Sequence, residues 1–464
     1  MKQQKFWLQS VFLLVFSLFF VLTSAVSLAA AAVNHPIKIA VISDIHLYDP
    51  ALGTTGSAFE AYLVSQDLKM EAESDAIFQS ALNTLLNSDA QVVLIAGDLT
   101  NNGEYINHQR MANYLGRLVK AGKQVFVING NHDILNPDAS SYSGDTATRV
   151  RNITPDEFKN LYHAFGYDQA VAKDTNSLSY VVDLTTDVRL VVIDSCKYDA
   201  SNKRPVTAGD ISGGKLQWVE SQIRDAKTKG KTVLGMMHHG IVPHFSMETT
   251  FFPGFVVDNY AALQKDFSSL GMSVMFTGHF HSQDLAGQYF PNNTYMLDIE
   301  TGSLVNYPVP IRFVEVSADR KQLNITSTMV TSSNYDLKGA ANFQAYALNG
   351  MPAGLRLMLF QQLTAILVHQ GYAADVASDM AMKLGATQVA PNVMINDLFT
   401  KVALAHYHGD ENLDATTKAQ IQELASSSDP NTKLVGQYML SMSTDVPPAD
   451  NNLKIDLLTG KATN

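Results

Sequence analysis

The chain is poor in the features that mark disulfide-stabilised and nucleic-acid-binding proteins. It has one cysteine, Cys196, in 464 residues. A disulfide within the chain and a zinc site built from several thiolates are therefore both excluded. No basic stripe interrupts a sequence whose formal net charge is -11, although nucleic-acid binders usually carry one. We therefore expect no nucleic-acid polymer as a partner, and we interpret Cys196 as a small buried hydrophobic residue.

Internal repeats and low-complexity segments are also missing. A hydrophobic content of 46% and a charged content of 17% are typical of a globular protein. A chain of 464 residues is too long for one ordinary hydrophobic core. We therefore expect two domains or one large, elaborated domain.

The N-terminus has the pattern of a secretory signal peptide. Lys2 and Lys5 precede an uncharged stretch from Phe6 to Val33 that ends in small residues. We predict a signal peptide over residues 1–32, cleaved near its alanine run, and no stable membrane span after cleavage. The alternative is an uncleaved anchor, because the stretch is long enough to span a bilayer. Both interpretations predict a secreted or extracytoplasmic protein.

Short runs rich in valine and isoleucine alternate with amphipathic helical patterns. Such runs, bounded by polar turns, predict buried strands, and strands that alternate with helices predict an α/β sheet with helices on its faces. The predicted strands are Ile37–Ser43, Val92–Gly97, Gln124–Asn129, Arg189–Ser195, Thr232–Met237 and Met272–Gly278, and the helical patterns cover Ala76–Leu86, Met111–Val119 and Leu216–Ile223.

The pattern changes after Tyr307. Two further strands are predicted, joined by a turn at Asp319–Arg320, and from about Asn342 only amphipathic helices follow. We therefore predict a catalytic domain over residues 33–338 and a helical C-terminal domain over residues 339–464. The sequence leaves the role of the helical domain and the oligomeric state open.

Five of the apolar runs end abruptly in side chains that are able to bind a metal. In α/β sheets, ligand sites lie outside the carboxyl ends of the strands, so we expect the five ends to converge. The first run ends at Asp44 and His46, the second at Asp98, the third at Asn131, His132 and Asp133, the fifth at His238 and His239, and the last at His279 and His281.

These residue types suit two divalent ions. Carboxylate and carbonyl oxygens favour manganese, and imidazole suits zinc, iron and nickel. In a two-metal hydrolytic site, a bridging hydroxide with two carboxylates and two divalent ions leaves a net charge of about +1. That charge suits a phosphodiester anion and only weakly disfavours a dianionic monoester. The identity of the two metals (Mn, Fe, Zn or Ni) stays open.

The blocks "DIH", "GDLTNNGE", "NGNHD", "MMHHG" and "TGHFH", in this order, resemble those of the calcineurin-like metallophosphoesterases over roughly residues 37–303. The resemblance implies an α/β fold with a four-layer α/β/β/α sandwich, here followed by the small all-α C-terminal domain. It implies one metal held by Asp44, His46 and His281, a second held by Asn131, His238 and His279, and Asp98 as the bridge between them.

The resemblance also implies two catalytic residues in the third block. His132 would lie near the phosphate and protonate the leaving oxygen or stabilise the transition state, and Asp133 would orient its imidazole. Of the adjacent pair His238 and His239, only one can point at a metal, because successive side chains of an extended segment face opposite ways. The block pattern favours His238.

Several other polar residues lie outside the matched blocks. His244 follows the histidine pair and either contacts the substrate or has no function. His108 lies on a predicted helix, where we favour a structural role. Asp194 ends a strand but matches no block, so we expect it to cap or pack. We expect residues that select the base in two long connections, Pro50–Met70 and Asn136–Asp156, because long loops usually serve a site.

The blocks and the helical segment after them are similar to bacterial cyclic-nucleotide phosphodiesterase-type members. We therefore expect a secreted phosphodiesterase whose small-molecule substrate is a 3',5'- or 2',3'-cyclic nucleotide, hydrolysed by attack of a metal-bridging hydroxide. The alternative is a phosphomonoesterase of the acid phosphatase or nucleotidase type. Asn129 stands where protein phosphatases of the superfamily carry arginine, which disfavours that class. A non-catalytic binding module is disfavoured because no ligand and no catalytic histidine is missing.

Overall fold

The computed structural model describes residues 34–66, 68–444 and 449–464. The predicted signal peptide, residues 1–32, lies outside the described residues. The chain from Ile37 to Asn464 forms one compact unit. The division into domains at residues 338 and 339 therefore stays a prediction.

The described strands form two large mixed sheets and two hairpins. In chain order they are β1 (Ile37–Ile42), β2 (Val92–Ala96), β3 (Gln124–Ile128), β4 (Ser140–Ser143), β5 (Thr146–Arg149), β6 (Ala172–Lys173), β7 (Tyr180–Thr185), β8 (Val188–Val192), β9 (Thr232–Met236), β10 (Met272–Thr277), β11 (Asp284–Tyr289), β12 (Tyr295–Glu300), β13 (Pro310–Val316), β14 (Gln322–Met329), β15 (Gln388–Ala390), β16 (Val393–Met394), β17 (Leu453–Asp456) and β18 (Ala462–Thr463).

The described helices lie between and after these strands. They are α1 (Ser57–Ser65), α2 (Ser74–Asn87), α3 (Tyr105–Lys120), α4 (Pro155–Leu161), α5 (Gly213–Thr228), α6 (Glu248–Phe251), α7 (Tyr260–Leu270), α8 (Phe343–His369), α9 (Ala374–Gly385), α10 (Ile395–His408), α11 (Ala415–Ala425) and α12 (Pro430–Met442).

The order of the strands brings the predicted ligand-bearing ends together. The first sheet has the order β18-β17-β14-β13-β1-β2-β3, and the second has the order β11-β12-β10-β9-β8-β7-β6. The strands β1, β2 and β3 pair in parallel, as do β8, β9 and β10. Each residue of β2 is buried, as expected for a parallel strand covered on both faces. The predicted strands are confirmed.

The two sheets pack face to face between outer helices. Val41 of β1 and Leu190 of β8 belong to one apolar cluster, which also contains Phe78 of α2. On the other side of the second sheet, Ile223 of α5 and Phe267 of α7 belong to another cluster. The layers are therefore α/β/β/α, and the predicted fold class is confirmed.

The C-terminal helices pack in an apolar cluster that also contains phenylalanines from the segments after β9 and β10. Leu355 and Leu359 of α8, Phe399 of α10 and Tyr438 of α12 are buried together. The predicted helical region is therefore present as α8 to α12. The sequence did not predict β17 and β18, which follow these helices and extend the first sheet beside β14.

Helix α8 is long and apolar. Among the described residues it is the one helix that, by length and composition, could cross a membrane. Its Leu355, Leu359, Leu363 and Leu367, spaced at four residues, pack into the core of the helical region. This spacing is typical of a core helix with one buried face.

Candidate metal centre

The carboxyl ends of five strands meet at one place. Strands β1, β2 and β3 of the first sheet and β9 and β10 of the second each end in a block that was predicted to bind metal. A continuous series of short contacts connects the side chains of these blocks. The structure thus brings together all seven predicted ligands, namely Asp44, His46, Asp98, Asn131, His238, His279 and His281.

The first group of ligands surrounds a carboxylate oxygen of Asp44. Nε2 of His281 lies 3.1 Å from Oδ1 of Asp44 and 3.3 Å from Nε2 of His46. Oδ2 of Asp44 accepts hydrogen bonds from Ser43 Oγ at 2.6 Å and from the backbone N–H of His279 at 2.9 Å. Oδ1 is buried and accepts none. This oxygen is therefore available to a cation.

The second group is centred on His238. Its Nε2 atom lies 3.1 Å from Oδ1 of Asn131 and 3.1 Å from Nδ1 of His279. On the other side of the ring, Nδ1 of His238 donates to the carbonyl oxygen of Ala96 at 2.8 Å. Burial opposes protonation of His238, but the nearby Asp98 outweighs it and raises the pKa of His238 to about 9, so a metal ion would take the place of a proton on Nε2.

Asp98 lies between the two groups. Its Oδ2 atom is 3.6 Å from Nε2 of His46 and 3.4 Å from Nε2 of His238, so one oxygen faces both. Burial opposes ionisation of Asp98, but the nearby His238 and His132 outweigh it and hold the pKa of this carboxyl well below its usual range. The carboxylate is thus ionised and in a position to bridge two cations.

The donor set fits two divalent transition-metal ions. Four imidazoles, two carboxylates and one amide oxygen converge, and no thiolate is present among them. This mixture suits Mn, Fe, Zn or Ni and does not choose between them.

The backbone is strained at five of the seven predicted ligands. A positive φ is uncommon outside glycine and costs about 1–3 kcal/mol at a non-glycine residue. Strain of this kind is typical of functional sites. It occurs at Asp44 (50°), His46 (42°), Asp98 (45°), His279 (76°) and His281 (72°).

Two glycines of the blocks are required by close approach. A Cβ atom on Gly130 would overlap the backbone nitrogen and Oδ1 of Asp98. A Cβ atom on Gly278 would overlap Oδ2 of Asp44 and the hydroxyl of Ser43. Glycine at these positions allows the neighbouring strand ends to reach the ligand carboxylates.

His132 lies beside the first group of ligands. Its ring is 4.8 Å from that of His46 between centroids, and its Nδ1 donates to the carbonyl oxygen of Asn101 at 2.8 Å. Burial, followed by the charge of Lys69, lowers the pKa of His132 to about 4. The ring is therefore neutral at neutral pH, with Nε2 as its remaining nitrogen.

The role that the resemblance implied for Asp133 needs correction. Its carboxylate accepts hydrogen bonds from Gly130, from Leu99 and from the backbone and hydroxyl of Thr100, at 2.8–3.1 Å. The imidazole of His132 instead contacts Asn101 and Asn102. Asp133 therefore fixes the loops after β2 and β3, because its oxygens are occupied by those backbone groups. Burial, followed by the charge of Asp98, raises the pKa of Asp133 to about 7.

The remaining histidines lie outside the ligand set. His239 contacts Ser195 Oγ and the Thr207 carbonyl, both at 2.8 Å, so the structure places His238 and not His239 in the cluster. His108 lies in α3 between the hydroxyl of Tyr162 and the carbonyl of Asp133, which is a structural position.

His244 contacts Asp284 and Glu300 rather than the residues of the metal centre.

Asp194 and Cys196 have the structural positions that were expected. Asp194 accepts hydrogen bonds from Asn129, Tyr198 and the backbone of Cys196. Cys196 is buried, and burial raises the pKa of its thiol well above the usual value. Neither residue contacts the predicted ligands through these bonds.

Sequence reasoning missed several residues around the centre. A cavity of about 190 Å³ opens on Asp98, Asn131 and His132. The predicted loop Pro50–Met70 does contribute, but the helices contribute as well. The lining residues outside the two predicted loops include Phe255, Asn306, Met358 of α8 and Tyr407 of α10. Their types are common elsewhere in the chain, and no local pattern distinguishes them.

More than half of the chain matches the model of a known protein family. Residues 37–283 match the model described as calcineurin-like phosphoesterase. Among curated proteins, none matches the chain significantly.

Solved structures give distant likenesses. A dimetal phosphatase from Danio rerio is 13% identical, with a TM-score of 0.45, over 63% of this chain and 96% of that one. A purple acid phosphatase from yellow lupin is 11% identical, with a TM-score of 0.39, over 64% and 52% of the two chains. The NAD nucleotidase of Haemophilus influenzae is 13% identical, with a TM-score of 0.36, over 76% and 62%.

Proposed function

The chain belongs to the calcineurin-like phosphoesterase family, and on that premise we propose that it is a phosphodiesterase that acts on small phosphate diesters, with cyclic nucleotides as the leading substrates. The family makes it a metal-dependent hydrolase of phosphate esters. What we propose beyond the family is the preference for diesters over monoesters and the identity of the alcohol groups of the substrate.

Bound metal ions and protein side chains would have different roles in the hydrolysis. Two bound divalent ions lower the pKa of water towards neutrality and stabilise negative charge on phosphoryl oxygens. Asp44, His46, Asp98, Asn131, His238, His279 and His281 would hold those ions at the strand ends. His132 has Nδ1 held by Asn101, so Nε2 is the atom that faces a leaving oxygen. A bound phosphate anion favours protonation of that nitrogen, which then donates to the leaving group.

The observation that carries the diester proposal is the presence of two cavities that meet at His132. The cavity at the metal centre shares His132 and Gln66 with a second cavity of about 420 Å³. The second cavity is lined by Tyr62 and Tyr142, whose rings stack 4.9 Å apart. An acyclic diester carries an organic group on each side of its phosphorus, and two adjoining cavities give each group a place. A cyclic nucleotide has both ester oxygens on one ribose, so it would place its phosphate and ribose at the metal centre and its base in the second cavity.

One observation favours the alternative, a phosphomonoesterase of the acid phosphatase or nucleotidase type. Lys69 lines the cavity at the metal centre, where its ammonium adds a positive charge. An extra positive charge suits the dianion of a monoester better than the monoanion of a diester. The substrate class therefore needs a direct comparison.

We also propose that the enzyme acts outside the cytoplasm. The support is the signal-peptide pattern over residues 1–32. Expression of the full chain in a bacterium, followed by fractionation and N-terminal sequencing, tests this. A mature N-terminus near Asn34 in the secreted or periplasmic fraction is expected, and an uncleaved chain in the cytoplasm would contradict it.

A substrate panel tests the diester proposal. The chain from Asn34, loaded with Mn²⁺, is compared on 3',5'-cAMP, 2',3'-cAMP, bis(p-nitrophenyl) phosphate and p-nitrophenyl phosphate, with Asp98→Ala as the blank. We expect diester turnover well above monoester turnover, and the two cyclic nucleotides then define the subclass. A preference for p-nitrophenyl phosphate would establish the monoesterase instead.

A further inference from the structure

A second cluster of buried histidines and carboxylates lies between the second sheet and the helical region. Asp284 begins β11, Glu300 ends β12, and His244 lies in the loop after β9. His406 is in the last turns of α10, and Glu411 follows that helix. The cluster is almost fully buried, and the side chain of His244 is 1% exposed. None of these residues belongs to the ligand set of the metal centre.

The side chains form a continuous series of short contacts. Nδ1 of His406 lies 2.9 Å from Oε1 of Glu411 and 3.4 Å from Oδ2 of Asp284. Oδ1 of Asp284 lies 3.1 Å from Nδ1 of His244. Nε2 of His244 lies 3.0 Å from Oε2 of Glu300. Asp284 thus stands between the two imidazoles, as Asp98 stands between His46 and His238.

The spacing of the donor atoms is that of ligands to one ion. Two atoms bound to the same metal at about 2.1 Å are separated by about 3.0–3.4 Å at octahedral or tetrahedral angles. The contacts of Asp284, His406 and Glu411 fall in or close to this interval. Without an ion, the contact between His406 and Glu411 also has the geometry of a hydrogen bond. The ligands of the metal centre show similar separations, 3.1–3.3 Å around His281 and His238.

The imidazole of His244 supplies an independent observation. Neither of its ring nitrogens makes a hydrogen bond of acceptable geometry, and neither does Oε2 of Glu300, although all three atoms are buried. A protonated imidazole would direct its N–H groups along the line to a carboxylate, because hydrogen bonds weaken steeply when bent. These close but misaligned contacts leave buried polar atoms without a hydrogen bond beside Asp284, the carboxylate that His244 shares with His406.

We propose that this cluster is a further metal site, in which Asp284, His406 and Glu411 bind one divalent transition-metal ion and His244 and Glu300 complete its surroundings. Mixed imidazole and carboxylate ligands suit Zn, Mn or Fe. A cavity of about 600 Å³, lined by His244, Asp284, His406 and Glu411, gives the ion a route of exchange. Lys461 also lines this cavity, and its side chain is exposed to solvent.

The position of the site gives it a structural role. Its ligands come from β11 of the second sheet and from α10 with the loop after it. Tyr407, next to His406 in α10, lines the cavity at the catalytic metal centre. The ion therefore fixes the helix that carries one wall of the catalytic cavity.

Crystals of the chain from Asn34, grown with Mn²⁺, test the proposal directly. An anomalous difference map at the manganese edge is expected to show a peak within bonding distance of Asp284, His406 and Glu411. A map without this peak overturns the proposal, whether or not the metal centre around Asp98 shows its own peaks. Peaks around Asp98 test the catalytic metal centre separately. Failure of the further site and failure of the catalytic centre are therefore distinguishable.

Metal analysis in solution provides a second test. We expect Glu411→Gln to contain one ion per chain fewer than the wild type, and Glu423→Gln, at an exposed glutamate of α11, to contain the same number. Equal metal contents in the wild type and a folded Glu411→Gln overturn the proposal. Should Glu411→Gln fail to fold, the anomalous map of the unaltered chain decides.

Discussion

The backbone N–H of His132 donates to Oδ1 of Asp98 at 2.9 Å. This bond connects His132, which we propose protonates the leaving group, to the carboxylate that faces both groups of ligands. Because Oδ1 is occupied, Oδ2 is the oxygen directed at His46 and His238. One hydrogen bond therefore orients the bridge and places the imidazole beside it.

Replacement of His132 separates chemistry from metal binding. Loss of a general acid typically slows a reaction by about 10²–10⁴-fold, so we expect His132→Ala to lower kcat by that amount while the metal content stays that of the wild type. His163→Ala, at an exposed histidine, is the control. Loss of metal from His132→Ala, with residual rates proportional to occupancy, would mean that His132 is a ligand.

The glycine before Asn131 is predicted to be intolerant of a methyl group. The Cβ of Gly130→Ala would overlap Asp98, so we expect overpacking to destabilise the fold by about 1–3 kcal/mol and to reduce metal content. Gly116→Ala in α3 is the control, because no atom lies within 4 Å of its Cβ. It should stabilise the fold by about 0.5–1 kcal/mol. Urea denaturation measures both, and equal effects at the two sites would refute the steric argument.

A buried glutamate near the catalytic cavity makes stability depend on pH. Burial raises the pKa of Glu71 to about 8, against smaller opposing effects of Lys69 and Tyr62. Between pH 4.5 and about 8 the folded chain then binds a proton that the unfolded chain releases, so the free energy of unfolding falls as the pH rises. One such proton corresponds to about 1.4 kcal/mol per pH unit.

Glu71→Gln is expected to remove this contribution. In a plot of unfolding free energy against pH, the variant should lack the downward slope that one proton gives the wild type. Its gain in stability over the wild type should grow up to about pH 8 and stay constant above it. Glu60→Gln, at an exposed glutamate of α1, controls for the change of residue type. Parallel curves for the wild type and Glu71→Gln would show that Glu71 ionises as freely in the fold as outside it.

Lys69 is predicted to discriminate between substrate charges. Because its ammonium lines the catalytic cavity, Lys69→Gln should raise KM for p-nitrophenyl phosphate, a dianion, more than for bis(p-nitrophenyl) phosphate, a monoanion. Lys38→Gln, which removes only a surface pair with Asp89, is the control. Equal changes in KM for both substrates would show that Lys69 does not interact with the second negative charge, which only p-nitrophenyl phosphate carries.

The ligand positions could be predicted because each is local in sequence. Asp98 or His238 directly follows an apolar strand, and the edge of a sheet brings strand ends together whatever the details of packing. The role of Asp133 could not be predicted in this way. Whether a carboxylate meets a ring or a backbone N–H depends on the path of the loops after β2 and β3.

The residues that complete the site depend on tertiary contacts. Tyr407 reaches the cavity only because α10 packs against the catalytic region, and its own segment reads as an ordinary amphipathic helix. The strand β17 was missed for another reason. Leu453 and Ile455 are buried and alternate with exposed residues, but four residues are too few for a period of two to be distinguished from a turn.

The central claim, that the carboxylate of Asp98 holds two catalytic ions, is tested most directly by the Asp98→Ala variant. Metal content per chain and turnover of bis(p-nitrophenyl) phosphate are measured on one preparation, with Asp145→Ala, at an exposed loop aspartate, as the control. We expect Asp98→Ala to lose one to two ions per chain relative to the control and to have no turnover above background. Wild-type metal content together with wild-type turnover in folded Asp98→Ala would contradict the claim.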